Sequence, residues 1–291
     1  MDHWARPQAS TTVVVGESAL RTAIAAAKAD GRRVGLVPTM GALHAGHLSL
    51  IRAARENCDF LTVSIFVNPA QFGPHEDLSR YPRPIESDLS ACEEAGADLV
   101  FHPKRETMYP DGFATWVTVE GLGDRLEGAF RPGHFRGVAT VVMKLLHLVQ
   151  PDVSYFGRKD YQQQLIVRRM CADLGVPGEI VTCPTVRDED GLAVSSRNRY
   201  LNAGERRSAL ALYQSLQLAK RRLQGGETDL TAIRGAMRAR LESAPDVRVD
   251  YATIADPRTL EELTTPQSEM IALVAAHVGN TRLIDNLPIS N

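Results

Sequence analysis

The sequence predicts an α/β fold in which a doubly wound parallel sheet is followed by a smaller C-terminal α+β domain. Three observations carry that expectation. Short apolar runs alternate with helical patterns through residues 1–185. The runs are apolar at nearly every position rather than at alternate ones, as strands buried on both faces of a parallel sheet are. After Pro184 the rhythm gives way to two long helical patterns and three β-rich runs. The domain boundary is expected near residues 184–188, dividing the chain into a Rossmann-like 1–185 and a smaller, lid-like 186–291.

Each element follows from its local pattern. A leading helix is expected near Ala19–Lys28. Strands are expected at Val34–Val37, Leu61–Val67, Asp98–Phe101, Val153–Phe156 and Ile180–Cys183. Between them, apolar residues at helical spacing mark Leu48–Glu56, Ile85–Glu94, Val138–Val149 and Tyr161–Leu174. Trp116–Val119 reads as a short strand with no place in the main sheet. Beyond the boundary, helices Gly204–Leu223 and Leu230–Ser243 flank a Gly225-Gly226 break. Strands Val247–Ile254, Met270–Val278 and Thr281–Asn286 close the chain.

Composition excludes several classes. The 291 residues are 44% hydrophobic and 23% charged, ordinary values for a globular protein with a substantial core. The net charge of −2, with acids and bases mixed throughout, leaves no basic face for nucleic acid. The first twelve residues carry acid, base and proline, so no secretory signal is expected. No uncharged apolar run approaches the roughly 20 residues that span a bilayer. The four cysteines are widely spaced, form no CxxC pair, and read as buried free thiols. A cytoplasmic location follows from these as an expectation.

The chemistry-bearing residues sit in loops after strands, where an open parallel sheet gathers its ligands. The run Met40-Gly41-Ala42-Leu43-His44-Ala45-Gly46-His47 follows the first of the five strands. It reads as a tight turn into a helix, whose first N–H groups and positive dipole end suit a phosphate. Histidines at i and i+3 share one face of that first turn. Read structurally, one of them caps the helix and the other packs in the core. A zinc site is disfavoured, because His-Glu-x-x-His is missing. Asn68-Pro69-Ala70-Gln71-Phe72 follows the second strand, and Gly157-Arg158-Lys159-Asp160 follows the fourth. Lys159 there could meet a phosphate, or could be a solvated lysine beside a helix cap. Of the triplet Gln162-Gln163-Gln164, at most one or two can face a cleft, since successive helical positions diverge. The loop after the fifth strand, Val186 to Arg197, ends in Val194-Ser195-Ser196-Arg197; it reads either as a triphosphate clamp or as a linker with a serine cap. Neither GxxxxGK[ST] nor GxGxxG occurs, so phosphate binding rests on the histidine turn and on side-chain cations.

These segments, with Tyr81-Pro82-Arg83, Gly133-His134-Phe135-Arg136-Gly137-Val138 and Ser195 through Leu201, together resemble the pantothenate synthetases. These are the pantoate–β-alanine ligases of the HIGH nucleotidyltransferase superfamily. The resemblance is densest from Pro38 to Tyr200. It implies a two-step reaction in which ATP and pantoate, with Mg²⁺, give a pantoyl adenylate that β-alanine then attacks. By the same resemblance His47, His44 and Lys159 are catalytic, with His47 the proton donor. Met40–His47, Gly157–Asp160, Val186 and Val194–Arg197 line the ATP site. Gln71 and Gln163 bind pantoate, Gln71 also β-alanine, and a homodimer is expected. The Mg²⁺ ion is expected to arrive on ATP rather than on a protein ligand set. Arg158 departs from the glutamate expected there, so it should meet ATP through its backbone or not at all. Two rival readings remain at this point: a related adenylyl- or cytidylyltransferase acting on a phosphate acceptor, and a non-catalytic nucleotide sensor.

Overall fold

The computed structural model describes residues 10–74 and 76–290. The opening residues 1–9, used above against a signal sequence, lie outside the described residues. The chain divides into two compact units.

The first unit comprises residues 1–119, 133–157 and 167–183. Strand β1 (Thr12–Val14) leads into helix α1 (Glu17–Ala29). Then come β2 (Val34–Thr39), α2 (Ala45–Asn57), β3 (Phe60–Ile65), α3 (Ile85–Glu94) and β4 (Leu99–Phe101). The short α4 (Arg105–Met108) follows. Further along lie α6 (His134–Val149), β5 (Val153–Gly157), the end of α7 (Tyr161–Asp173) and β6 (Glu179–Cys183); α5 (Glu127–Phe130) belongs to the second unit. All six strands pair in parallel, in the order β1-β4-β3-β2-β5-β6. The chain runs outward from β2 through β3 to β4 and then returns to the other side of β2 as β5. The topological switch point therefore falls between the carboxyl ends of β2 and β5.

The central strands are buried on both faces, including Thr62 and Ser64 of β3. Every residue of β3 is buried, and in β2 only Pro38 is partly exposed. Val37, Leu61, Val63 and Ile65 pack under Leu50, Ile51 and Ala54 of α2 and Cys92 of α3. All four cysteines are free and buried.

The second unit comprises residues 120–132, 158–166 and 184–291. It contains α5 (Glu127–Phe130), α8 (Ala203–Gln224), α9 (Leu230–Glu242) and strands β7 (Val247–Ala255), β8 (Glu269–Val278) and β9 (Thr281–Ser290). The strands form an antiparallel sheet in the order β7-β8-β9. One face packs on α8 and α9 through Leu212, Leu216, Ile233 and Met237. The other is covered by Leu122, Leu126, Tyr161 and Leu165. That second cover is why two segments preceding residue 184 belong to this unit. A buried ion pair reinforces it: Glu127 takes Arg282 Nη1 and Nη2 at 2.6 and 2.7 Å and the Tyr251 hydroxyl at 3.0 Å.

Two strand expectations need correction. Trp116–Val119 is not a strand; its Val117 N–H donates instead to Thr140 Oγ1 at 3.0 Å, and Trp116 stacks under the Arg136 guanidinium. A β-rich composition without a neighbouring ladder leaves an extended segment satisfied by a side chain. Conversely, β1 has no sequence signal, because three residues, two exposed and one partly buried, carry little pattern of their own. β9 continues past Asn286 through Pro288, which an edge strand tolerates.

Candidate active site

The carboxyl end of β2 turns sharply. Gly41 and Ala42 both take left-handed φ values, 78° and 51°. Such a turn aims successive N–H groups at one point. The buried Asp88 carboxylate fills that point, accepting Ala42 N and Leu43 N at 2.8 Å each. The turn ends at His44, the N-cap of α2, whose Nδ1 accepts the Gly46 N–H at 3.2 Å. An accepting Nδ1 is unprotonated, so the proton of neutral His44 sits on Nε2, which makes that nitrogen the donor. His47, one turn on, brings its ring centroid to 4.1 Å from that of His44. Gly46 leaves room for this packing: a Cβ there would lie 3.0 Å from His44 Cε1 and press on the ring. One histidine thus does cap the helix, and in doing so it points the pair along one face.

Gln71 lies after β3 in a 3₁₀ turn, Pro69–Gln71, capped by Asn68. The Asn68 amide has one possible orientation. Its Oδ1 accepts from Ala70 N and the Tyr109 hydroxyl, at 3.2 and 2.7 Å, while Nδ2 donates to Gly137 O. Burial raises the Tyr109 phenol to about 12 despite the opposing Asn68 contact, so it stays a donor at neutral pH. Asn68 Nδ2 donates also to Gln71 Oε1 at 3.1 Å, which turns Gln71 Nε2 toward Met40 Sδ at 2.9 Å. His134 Nδ1 lies 2.8 Å from Gln71 O. Gly137 makes this possible, for a Cβ there would overlap the Ala70 carbonyl. The structure therefore brings Met40–His47 and Gln71 together, with Gly157 at the end of the neighbouring strand β5.

The remaining expected residues lie in the second unit. Arg158, Lys159 and Asp160 form a 3₁₀ turn running straight into α7. Lys159 Nζ is 3.8 Å from Asp160 Oδ1. Asn286 Nδ2 holds this turn by the Arg158 and Lys159 carbonyls. Gln162 and Gln164 are buried and Gln163 is half-buried. Gln162 is structural: its amide bonds Leu122 O, Arg125 O and Glu127 N. Val186 and Val194 bracket a small hairpin closed by Val194 N to Val186 O, at 3.0 Å, and by an Arg187–Ala193 bridge. Ser195 caps the turn Ser196–Tyr200 by accepting Arg197 N, so the serine cap is present. Reading by motif passed over Asp88, Tyr109, Glu127, Asp285 and Asn286. Only Asp88 had a local signal, an acid in the first turn of an expected helix.

Among the described residues no group of three or more His, Cys, Asp or Glu side chains could hold a metal ion. Nor is any described helix long and apolar enough to cross a membrane.

Fold and site define a doubly wound α/β enzyme with a histidine-capped helix at its switch point. Its sequence matches the Pantoate-beta-alanine ligase profile over residues 12–288. The chain belongs to that ligase family. It is 53% identical to a pantothenate synthetase of Moorella thermoacetica over 270 residues, 93% of this chain and 95% of that one. The crystal structure of pantothenate synthetase from Thermus thermophilus matches with a TM-score of 0.91 at 48% identity, covering 95% of this chain and 99% of that one. Pantoate-beta-alanine ligase from Francisella tularensis, complexed with beta-gamma ATP and beta-alanine, matches with a TM-score of 0.80 at 30% identity, covering 95% and 97%.

Proposed function

We propose that this enzyme ligates (R)-pantoate and β-alanine at the expense of ATP, through a pantoyl adenylate. The pantoate carboxylate attacks the α-phosphorus of ATP and pyrophosphate leaves. The β-alanine amine then attacks the activated acyl carbon, AMP leaves, and the amine gives up a proton to complete the amide. A carboxylate oxygen is a poor leaving group until phosphoryl transfer makes it part of AMP, which is why ATP is needed.

The observation that carries this reading is the histidine pair at the start of α2, with its rings 4.1 Å apart and the His44 proton on Nε2. Donors preset where phosphoryl charge develops stabilise the transition state without reorganising. His44 and His47 take that role, with His47 as proton donor, and Lys159 adds a cation. Met40–His47, Gly157–Asp160, Val186 and Val194–Arg197 bind ATP. Gln71 binds pantoate and β-alanine, and Gln163 binds pantoate. Mg²⁺ would arrive on the ATP phosphates, as it commonly does with most of its waters kept; no protein ligand set is assigned. Residues 186–291 act as a lid whose 187–197 loop orders with nucleotide. A cytoplasmic homodimer completes the reading, and sedimentation equilibrium tests the dimer.

Pyrophosphate–ATP isotope exchange is the test. It should require pantoate and should proceed without β-alanine. Exchange at full rate without pantoate overturns the reading in favour of another nucleotidyltransferase, and no exchange under any condition favours a sensor.

A further inference from the structure

Strand β9 carries two adjacent polar residues, Asp285 and Asn286, that are 3% and 2% exposed. Burying such groups costs free energy unless each finds a partner, and a sheet face needs neither for its own packing. Asn286 is partnered by one phosphate-binding candidate of the second unit, the Arg158–Lys159 turn, and Asp285 by Arg187, in the hairpin that leads into the other, Val194–Arg197. Asn286 Nδ2 donates to the carbonyls of Arg158 and Lys159 at 3.0 and 2.9 Å, which uses both of its amide hydrogens on consecutive residues of one turn. That leaves Asn286 Oδ1 buried with no hydrogen-bond partner among the described residues.

Asp285 grips the second segment. Its carboxylate takes Arg187 Nη1 and Nη2 at 2.7 and 2.9 Å. The same guanidinium donates to Gly191 O at 3.0 Å and to Asn286 O at 3.2 Å, and it lies 4.1 Å over the Tyr213 ring. Arg187 therefore closes the 187–193 hairpin from inside, and Ser195, Ser196 and Arg197 follow directly from that hairpin. Two loops that are distant in sequence are thus pinned to neighbouring residues of one strand.

We propose that Asp285 and Asn286 are positioning residues, which fix the spacing between the Lys159 turn and the Val194–Arg197 segment so that both engage the polyphosphate of one nucleoside triphosphate. The inference rests on the reading that those two segments bind ATP. Neither residue touches the nucleotide: Asn286 acts through Lys159, and Asp285 acts through Arg187 on the loop. A turn released from its carbonyl anchors lets the lysine wander by an ångström or so, and misplacement on that scale costs on the order of 100-fold in rate.

A double-mutant cycle on the full-length enzyme tests it by pyrophosphate–ATP exchange. Asn286→Ala should slow exchange by about 10- to 100-fold and raise the KM for ATP. In a Lys159→Ala background the same change should slow exchange by less than about threefold, since the lysine it positions is gone. A merely structural residue would lose the same factor in both backgrounds, and that additive result overturns the proposal. So does wild-type exchange in Asn286→Ala. Asn286→Ser, which keeps one donor, carries the same cycle if the alanine variant does not fold. If neither folds, the contact serves the fold alone and the proposal fails. Asp285→Asn against Arg197→Ala repeats the test for the loop. Full exchange in Lys159→Ala alone would instead reject the ATP role of the lysine, a failure of the underlying reading and distinguishable from the others.

Discussion

The histidine turn of the first unit and the lysine turn of the second are built in opposite ways. The first is nearly all local. Gly41 and Ala42 bend the backbone, His44 caps its own helix, and the Asp88 carboxylate and the Gln71 amide reach it from farther along the chain. The second runs into α7 but also depends on partners far along the chain. Its carbonyls are held by Asn286, more than a hundred residues on, and the hairpin of the same unit by a buried Arg187–Asp285 pair. A turn held by neighbours tolerates change elsewhere in its domain. One held by a distant strand inherits whatever disturbs that strand. The comparison therefore predicts localised losses for one site and propagated losses for the other.

The largest effect expected is on the local side. His47→Ala or His44→Ala should slow adenylation by about two to four powers of ten; the melting curve should barely move in His47→Ala, whereas His44→Ala also loses the α2 cap, at about 0.5–2 kcal/mol. Near wild-type exchange with either variant would remove the histidines from the chemistry.

On the other side, the Glu127–Arg282 pair should propagate. Taking one partner from a buried ion pair costs about 3–5 kcal/mol when the other is left unpaired; Arg282 keeps Asp250 at 2.7 Å from its Nε while Tyr251 loses its acceptor, so about 1–3 kcal/mol is expected. Glu127→Ala should lower the free energy of unfolding in urea by that amount. Loss of adenylation in the variant while it remains folded would sharpen the contrast.

The same carboxyl sets an acid limit. Burial by itself would raise it, but the N–H groups and charge of Arg282, together with Arg131, hold it below its ordinary 4.5. A carboxyl lowered by folding contributes stability above its unfolded pKa and loses it as pH falls through the folded value. Stability should therefore fall in acid below about pH 4.5, and Glu127→Gln should flatten that part of the pH profile. An unchanged acid limb in Glu127→Gln would assign the limit to other carboxyls.

The smallest effect concerns substrate choice. Gln163→Ala should weaken pantoate binding by about 1–3 kcal/mol and ATP binding far less. Equal losses in titrations with both ligands would move Gln163 out of the pantoate site.

Most of the main sheet was legible because burial on both faces leaves strands without charged residues, as at Val34–Val37 and at Leu61–Ile65, where even Thr62 and Ser64 are buried. Where burial is partial, the pattern fails. β1 is largely exposed and has no sequence signal, while Trp116–Val119 looked like a strand and pairs with nothing in the sheet. The expected ligand loops were legible for a related reason: polar residues directly after an apolar run stand out. Asn286 did not stand out, because a single amide in a strand looks the same whether it faces solvent or holds a turn.

The sequence by itself determined the doubly wound class, the histidine-capped helix and the family, since all three depend on residues close together in the chain. Tertiary structure alone decided which strands neighbour β2, which way the Gln71 amide faces, and what holds Lys159. Each of these depends on a partner contributed from far along the chain. Local pattern encodes secondary structure and its caps, whereas the pairing of distant buried polar groups is chosen only when packing excludes water and leaves each of them one remaining partner.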